Sequence, residues 1–345
     1  MDYIKPRRLR PGDNVAVIST SWGGPHVFPH VFDLGLKVLR DRFGLVIKEY
    51  PSTRMSPKEL AANPQLRAKD FSSAFADESV AALIVSIGGE DSARILRYLD
   101  ADVIQRNPKV LIGFSDTTTQ HLFCHNLGLV TFYGPSVMAG LSQLLRFPEA
   151  EAHIREILFE PAGTYLYKQF PQWTSGYPQW SEPNTAGQVD ELRPHDGWHW
   201  LNGSRVNSGR LFGGCFEVLE FVKGTKHWPT EEFWSDRIFF LETSEDKPST
   251  SQVRQWLFNY GVQGVFDKIS GLLIGRAHGY TDDEKSELDE MIVQTVVNQF
   301  GASKLPIVSN MDFGHTDPQW LLPLGIEAEV NCVEQTFRLL EAAVI

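Results

Sequence analysis

The sequence predicts an α/β fold: a mostly parallel, Rossmann-like N-terminal sheet flanked by helices and carrying a nucleophile turn, plus a smaller C-terminal α/β domain rich in strands. Two observations carry this. The first half alternates short, continuous apolar runs with helical patterns, the signature of buried parallel strands and their crossover helices. The second half mixes strand-like pieces with a few helical stretches. The length of 345 residues suits two domains at roughly 100–200 residues each. We expect an N-terminal domain over 1–160, an interdomain substrate loop over 161–185 and a C-terminal domain over 186–345.

In order along the chain, residues 14–19 (NVAVIS) read as the first strand, 31–43 as a helix and 45–50 as a second strand. Ser56 and Glu59 have capping-box spacing, which marks a helix start. A third strand over 82–87 runs into Gly88-Gly89, and a helix begins near Asp91 with Ile95, Leu96 and Leu99 facing a core. Residues 109–112 form a fourth strand, followed by a helix from Asp116. From Phe147 the texture changes. Residues 161–184 contain Pro161, Pro171, Pro178 and Pro183 with Trp173, Tyr177 and Trp180 and no sustained period, and long loops of this kind are often functional. Beyond them come strand-like GQVDEL, GWHWLNG, RIFFLET, GLLIGR and LPIVSN, and helical patterns near 216–222, 250–260 and 282–300.

Composition narrows the function. With 43 acidic against 32 basic side chains and a net charge of −11, polymeric nucleic acid and anionic membranes are excluded as expected partners. No run of about 18 apolar residues occurs, and the N-terminal MDYIKPRRLRPGDN is not followed by an apolar stretch of signal length. Cys124, Cys215 and Cys332 are odd in number and far apart, so thiols in a reducing cytoplasm are expected.

The most informative local pattern is the strand, Gly113-Phe114-Ser115-Asp116, helix sequence. A serine on that sharp turn presents its hydroxyl at the carboxyl edge of the sheet, where open α/β folds bind ligands. The N–H of Asp116, at a helix N-terminus, can hold an oxyanion. The competing reading is that Ser115 caps the helix. Gly88-Gly89 lets backbone approach a ligand and offers a second donor; it matches neither a P-loop nor G-x-G-x-x-G, so no cofactor is expected. A serine needs a base. His121 and His125 have the i, i+4 spacing of a metal pair but lack a third ligand, so we expect packing roles and no metal site. His195 and His199 alternate with Trp198 and Trp200 and suit a pocket wall, and His278 ends a strand. His315 lies in a loop fixed by Gly314 and Pro318. Glu242, Glu245 and Asp246 near the end of RIFFLET are all placed to orient an imidazole, and spacing leaves the choice open.

Taken together, PGDNVAVIST, SIGGEDS, LIGFSDTT, YGPSVM, GRLFGG, FFLET, LLIGR and FGHTDPQWLLPLG, in this order from about residue 10 to 330, resemble the LD-carboxypeptidase-like serine peptidases. The IGG turn and the HTDPQWLLPLG tail are similar to the microcin C self-immunity branch. The resemblance implies a Ser-Glu-His triad on Ser115, Glu242 and His315, and oxyanion donors on the N–H groups of Gly89 and Asp116. It further implies substrate contacts from Gly88 and Glu90, and an aromatic of the 161–185 loop stacking on a substrate adenine, with Trp180 first and Trp173 second. The implied substrate is a small peptide or aminoacyl-nucleotide, the implied reaction amide hydrolysis without metal, and the implied assembly a homodimer. A muramoyl-tetrapeptide LD-carboxypeptidase of peptidoglycan recycling is the alternative enzyme; a non-catalytic nucleotide- or peptide-binding protein is the alternative of another class. Cys215 departs from the small polar residue expected after the GG of GRLFGG.

Overall fold

The computed structural model describes residues 3–345. Its first sheet has six strands. Five of them run parallel: Val46–Glu49, Asn14–Ile18, Val80–Val85, Val110–Gly113 and Thr131–Tyr133, in that spatial order. Val80–Val85 is buried along its whole length, which is why it reads as an unbroken apolar run rather than an alternating one. Helices Pro29–Phe43, Pro64–Ala76, Thr118–Asn126 and Pro148–Leu158 belong to this half. The expected capping box is present at Ser56, whose hydroxyl accepts the Glu59 N–H at the start of Pro57–Ala62. The segment after Asp91 is a 3₁₀ helix, Ser92–Tyr98, rather than an α-helix.

The second sheet has eight strands. Its centre is parallel: Val206–Cys215, Arg237–Glu242, Gly271–Gly275 and Ile307–Met311. Antiparallel partners flank this centre, with Glu327–Asn331 and Thr336–Leu339 on one side and His199–Asn202 on the other. Leu322–Leu324, far along the chain, crosses back to pair antiparallel with Thr131–Tyr133 and closes the edge of the first sheet. The two halves therefore share a strand ladder as well as a surface.

Three local expectations change. GQVDEL forms no strand: its exposed acidic residues leave it no buried face, and the next strand is the short Arg193–Pro194. The Pro-rich loop is not structureless, because Gln172–Trp173 pairs with Arg193–Pro194. The helix over 282–300 is α only through Ile292, then a π-helix over Val293–Gln299. Among the described residues no helix is long and apolar enough to cross a membrane.

Aromatic packing holds the second sheet to its helices. Trp234 is 1% exposed and meets Phe212, Phe239 and Tyr260 edge-on. Trp234→Ala should cost about 3–5 kcal/mol, the usual range for emptying such a site; a urea denaturation midpoint close to that of the parent protein would contradict this packing.

Candidate active site

The carboxyl ends of the parallel strands from both sheets converge on one place. From the first sheet, Val110–Gly113 leads through Phe114 into Ser115, which has φ 57°. A left-handed serine is strained, and such a turn lifts the side chain off the strand-to-helix path. The turn Gly88-Gly89 follows the neighbouring strand. A Cβ on Gly88 would stand 3.0 Å from Ser115 Oγ and 3.5 Å from the Asp116 N. A Cβ on Gly89, at φ +146°, would stand 2.3 Å from Ser21 Oγ. Only glycine lets this turn press so closely on the serine.

Buried polar side chains fix both turns. Asp116, 1% exposed, accepts from the Ser21 hydroxyl at 2.6 Å, the Ser92 N–H at 2.9 Å and the Ser92 hydroxyl at 2.6 Å. Burial still pushes its carboxyl above the usual range. Asp91, beside the Gly88-Gly89 turn, takes two hydrogen bonds from the fully buried Arg67, at 2.6 and 3.2 Å. This Asp91–Arg67 pair holds the turn, with Arg67 also donating to the Thr20 carbonyl.

From the second sheet, Arg237–Glu242 ends on Glu242, which is fully buried. Its Oε2 lies 2.6 Å from His315 Nδ1. Its Oε1 accepts from the Tyr133 hydroxyl at 2.5 Å, and that same hydroxyl accepts the Ser115 N–H at 3.0 Å. One tyrosine thus joins the serine turn to the carboxylate. Burial, and then the neighbouring Glu242, hold Tyr133 well above its usual pKa, so it stays a neutral donor. A second tie runs alongside: Thr118 Oγ1 donates to the Ser115 carbonyl at 2.7 Å and accepts the Cys215 N–H at 3.1 Å.

His315 follows the strand Ile307–Met311, and its ring meets Phe114 at 4.9 Å between centroids. Gly314 has φ +100°, and a Cβ there would stand 2.8 Å from Glu242 Oε2. Burial alone would lower His315, but Glu242 and then Glu245 outweigh it and hold the imidazole well above 6.5. Its Nε2 has no hydrogen-bond partner among the described residues and does not bond Ser115 Oγ; Glu245 Oε2 lies 2.9 Å away at ion-pair distance. Of the three carboxylates that spacing left open, Glu242 meets Nδ1 and Glu245 meets Nε2.

The chain matches the LD-carboxypeptidase N-terminal domain over residues 15–134 and the LD-carboxypeptidase C-terminal domain over residues 208–330. It belongs to the LD-carboxypeptidase family. Among curated relatives, the microcin C7 self-immunity protein MccF of Escherichia coli is 26% identical, over 94% of this chain and 92% of that protein. A probable murein peptide carboxypeptidase of Bacillus subtilis strain 168 is also 26% identical, over 99% and 95%. The crystal structure of an MccF-like protein from Streptococcus pneumoniae in complex with AMP superposes with a TM-score of 0.82 at 28% identity, covering 95% of this chain and 98% of that one. MccF in complex with aspartyl sulfamoyl adenosine shares the fold, with a TM-score of 0.88 at 24% identity, 99% of this chain and 100% of that one.

In this member of the LD-carboxypeptidase family the Pro-rich loop leans over the His315 loop. Thr174 and Asp317 exchange backbone hydrogen bonds at 2.8 and 3.0 Å, and the Tyr177 hydroxyl faces the buried Asp317 carboxyl, which burial pushes up to about 6. Trp180 is partly exposed, stacks on Tyr177 at 5.7 Å and meets Phe28 edge-on. Trp173 is placed differently: it is 3% exposed, and its ring carries Lys285 at 4.4 Å, Arg276 at 4.8 Å and Arg193 at 5.5 Å from its centroid. Glu90 is exposed beside the glycine turn. Cys215 pairs in register with Glu242, and its thiol donates to Glu217, which in turn accepts from Ser244.

The other histidines occupy separate places. His121 joins Thr131 Oγ1 at 2.9 Å and the Gly113 carbonyl at 2.8 Å, and burial lowers it to about 4. His125 meets the Tyr3 hydroxyl at 2.6 Å. His195 and Trp198 converge on Asp312, which Arg276 also holds at 2.9 Å, and His199 pairs with Asp289 at 2.7 Å. His278 stands close enough to His315 and Glu245 for their charges to act on it.

Tyr133 escaped the sequence reading; its only signal was a polar-capable aromatic at the end of a short strand, before Gly134-Pro135. Tyr133→Phe leaves the Ser115 N–H and Glu242 Oε1 without this partner. The expected result is a loss of about 1–3 kcal/mol of stability, the cost of unpaired buried groups, with kcat falling more than KM rises. Unchanged stability and kcat would show that the bridge is idle.

Proposed function

We propose that this protein is a serine hydrolase that cleaves an amide bond in a small peptide-like substrate. Ser115 attacks the carbonyl, His315 accepts its proton and then protonates the leaving amine, and Glu242 orients the imidazole. The backbone N–H groups of Gly89 and Asp116 hold the oxyanion. The observation that carries this reading is the buried 2.6 Å contact between Glu242 and His315, set beside a left-handed Ser115 and tied to it through Tyr133. The nucleophile then comes from the 1–160 unit, and the other two groups from the 186–345 unit, with the 161–185 loop above them.

For the substrate we infer an aminoacyl-nucleotide of the microcin C type. Two observations support it: relatives in the self-immunity group are solved with AMP and aspartyl sulfamoyl adenosine, and Trp180 offers a partly exposed ring on a loop linked to the His315 loop. Stacking on an aromatic ring requires no basic patch, so the acidic balance of the chain does not oppose a single nucleotide. The probable murein peptide carboxypeptidase of B. subtilis, 26% identical like MccF of E. coli, supports an L,D-tetrapeptide as the second reading.

Side-by-side turnover of an aminoacyl sulfamoyl-adenosine and an L,D-tetrapeptide decides between them. Faster hydrolysis of the nucleotide is expected, with Trp180→Ala raising its KM and leaving the tetrapeptide's unchanged; the opposite preference would overturn the substrate assignment. Ser115→Ala should lower kcat by about three orders of magnitude or more on either substrate. Retention of most activity would sink the mechanism, and saturable binding without turnover in the parent protein would point to a binding role.

A further inference from the structure

His315 is flanked by two carboxylates of unlike character. Glu242 is fully buried and held by Tyr133 as well as by Nδ1. Glu245 reaches Nε2 at 2.9 Å from an exposed turn, with its own side chain 65% exposed. Nε2 is the atom that must receive the serine proton, so Glu245 occupies ground a substrate has to enter. Among the described residues no other strong cation answers Glu245: Lys247, two residues on, is paired with Glu284 at 2.8 Å. His278, which faces both His315 and Glu245, is held below its usual pKa by burial and then by His315. Asp317 on its own loop and the apolar ring of Phe114 also stand beside His315, and the Tyr177 hydroxyl stands near both Asp317 and Glu245.

We propose that Glu245 selects substrates carrying a protonated amine next to the scissile carbonyl, and that binding this amine draws the Glu245 carboxylate off His315. This role of Glu245 rests on the Ser115 and His315 roles proposed above. An atom bonded to the carbon beside a carbonyl under attack by Ser115 lies within a few ångströms of Nε2, where Glu245 already waits. While Glu245 stays there, two anions favour the imidazolium, which cannot accept a proton. The ammonium offers Glu245 another counter-ion and keeps its own protons. His315 then releases its Nε2 proton to water, and the Ser115 hydroxyl proton takes its place as Oγ attacks. Glu242 stays on Nδ1 throughout. Aminoacyl groups carry such an amine, so the device fits the proposed substrate class; an acyl group with a blocked amine leaves the cap in place.

The test uses the full chain and two serine-reactive α-aminoalkyl phosphonate diphenyl esters, identical except that one has a free amine and the other is N-acetylated. Both place phosphorus where the carbonyl carbon would be, and labelling of Ser115 is read by mass spectrometry. The parent protein should label about tenfold faster or more with the free amine, a difference of about 1.4 kcal/mol. In Glu245→Gln the ratio should fall towards one. The acid limb of labelling by the acetylated probe should also move to lower pH, because the anion raising His315 is gone; Glu245→Asp should restore part of the preference. The same ratio in the parent protein and Glu245→Gln, or an acid limb that does not move, overturns the assignment while Ser115 labelling keeps the hydrolase reading intact. Absence of Ser115 labelling by either probe overturns both.

Discussion

A fully buried carboxylate at the end of a central strand is the constraint on which the rest of this structure depends. Taking the Glu242 charge out of water costs several kcal/mol unless partners compensate it. The partners come from distant parts of the chain: His315 from the loop after Ile307–Met311, and Tyr133 from the first sheet. Satisfying one carboxylate therefore sets the two halves in a single relative position. Gly275 and Gly314 close around it, each with space for no Cβ. Leaving either partner out strands a buried charge, a larger penalty than the net worth of the contact itself.

Around that centre, polar groups that touch no substrate hold the ones proposed to act. Asp116, Ser92 and Ser21 fix the turn that carries Ser115, and Arg67 with Asp91 fixes the glycine turn facing it. On the other side Asp312, gripped by Arg276, Trp198 and His195, anchors the start of the loop that delivers His315. Rotamers locked in this way keep reacting groups within the few tenths of an ångström that catalysis requires. Glu245 is the exception. It stands on an exposed turn, which suits the role of substrate reader proposed for it.

Much of this was legible in the sequence, for a physical reason. Buried parallel strands must be apolar along their length, so 14–19, 82–87 and 109–112 announced themselves within a residue or two of their observed limits. The Ser115 turn and the glycine turn were legible because each demands special backbone. The partner carboxylate was legible only through the family resemblance, not through spacing: Glu242, Glu245 and Asp246 lie within five residues of each other, and only the pleat of Arg237–Glu242 and its register with neighbouring strands turn Glu242 inward. Tyr133 could not be read because its role depends on a hydroxyl meeting a residue 109 positions away. The return of Leu322–Leu324 to the first sheet and the Gln172–Trp173 ladder failed for the same reason. Their stabilisation is non-local, and short polar or Pro-bearing strands carry little period of their own. Trp173, the second choice after Trp180 for a substrate-stacking ring, is buried beneath three cations.

That Glu242 clamps His315 as the buried half of one unit is tested by NMR titration of the ¹⁵N-labelled imidazole in the parent protein and in Glu242→Gln. His315 should keep its proton to a pH well above 6.5 in the parent protein, with a strongly deshielded Nδ1 proton; in Glu242→Gln the deshielding should be lost and the titration should move to lower pH, Glu245 alone remaining to raise it. A His315 that titrates at or below 6.5 in the parent protein, or one indifferent to the substitution, would contradict it.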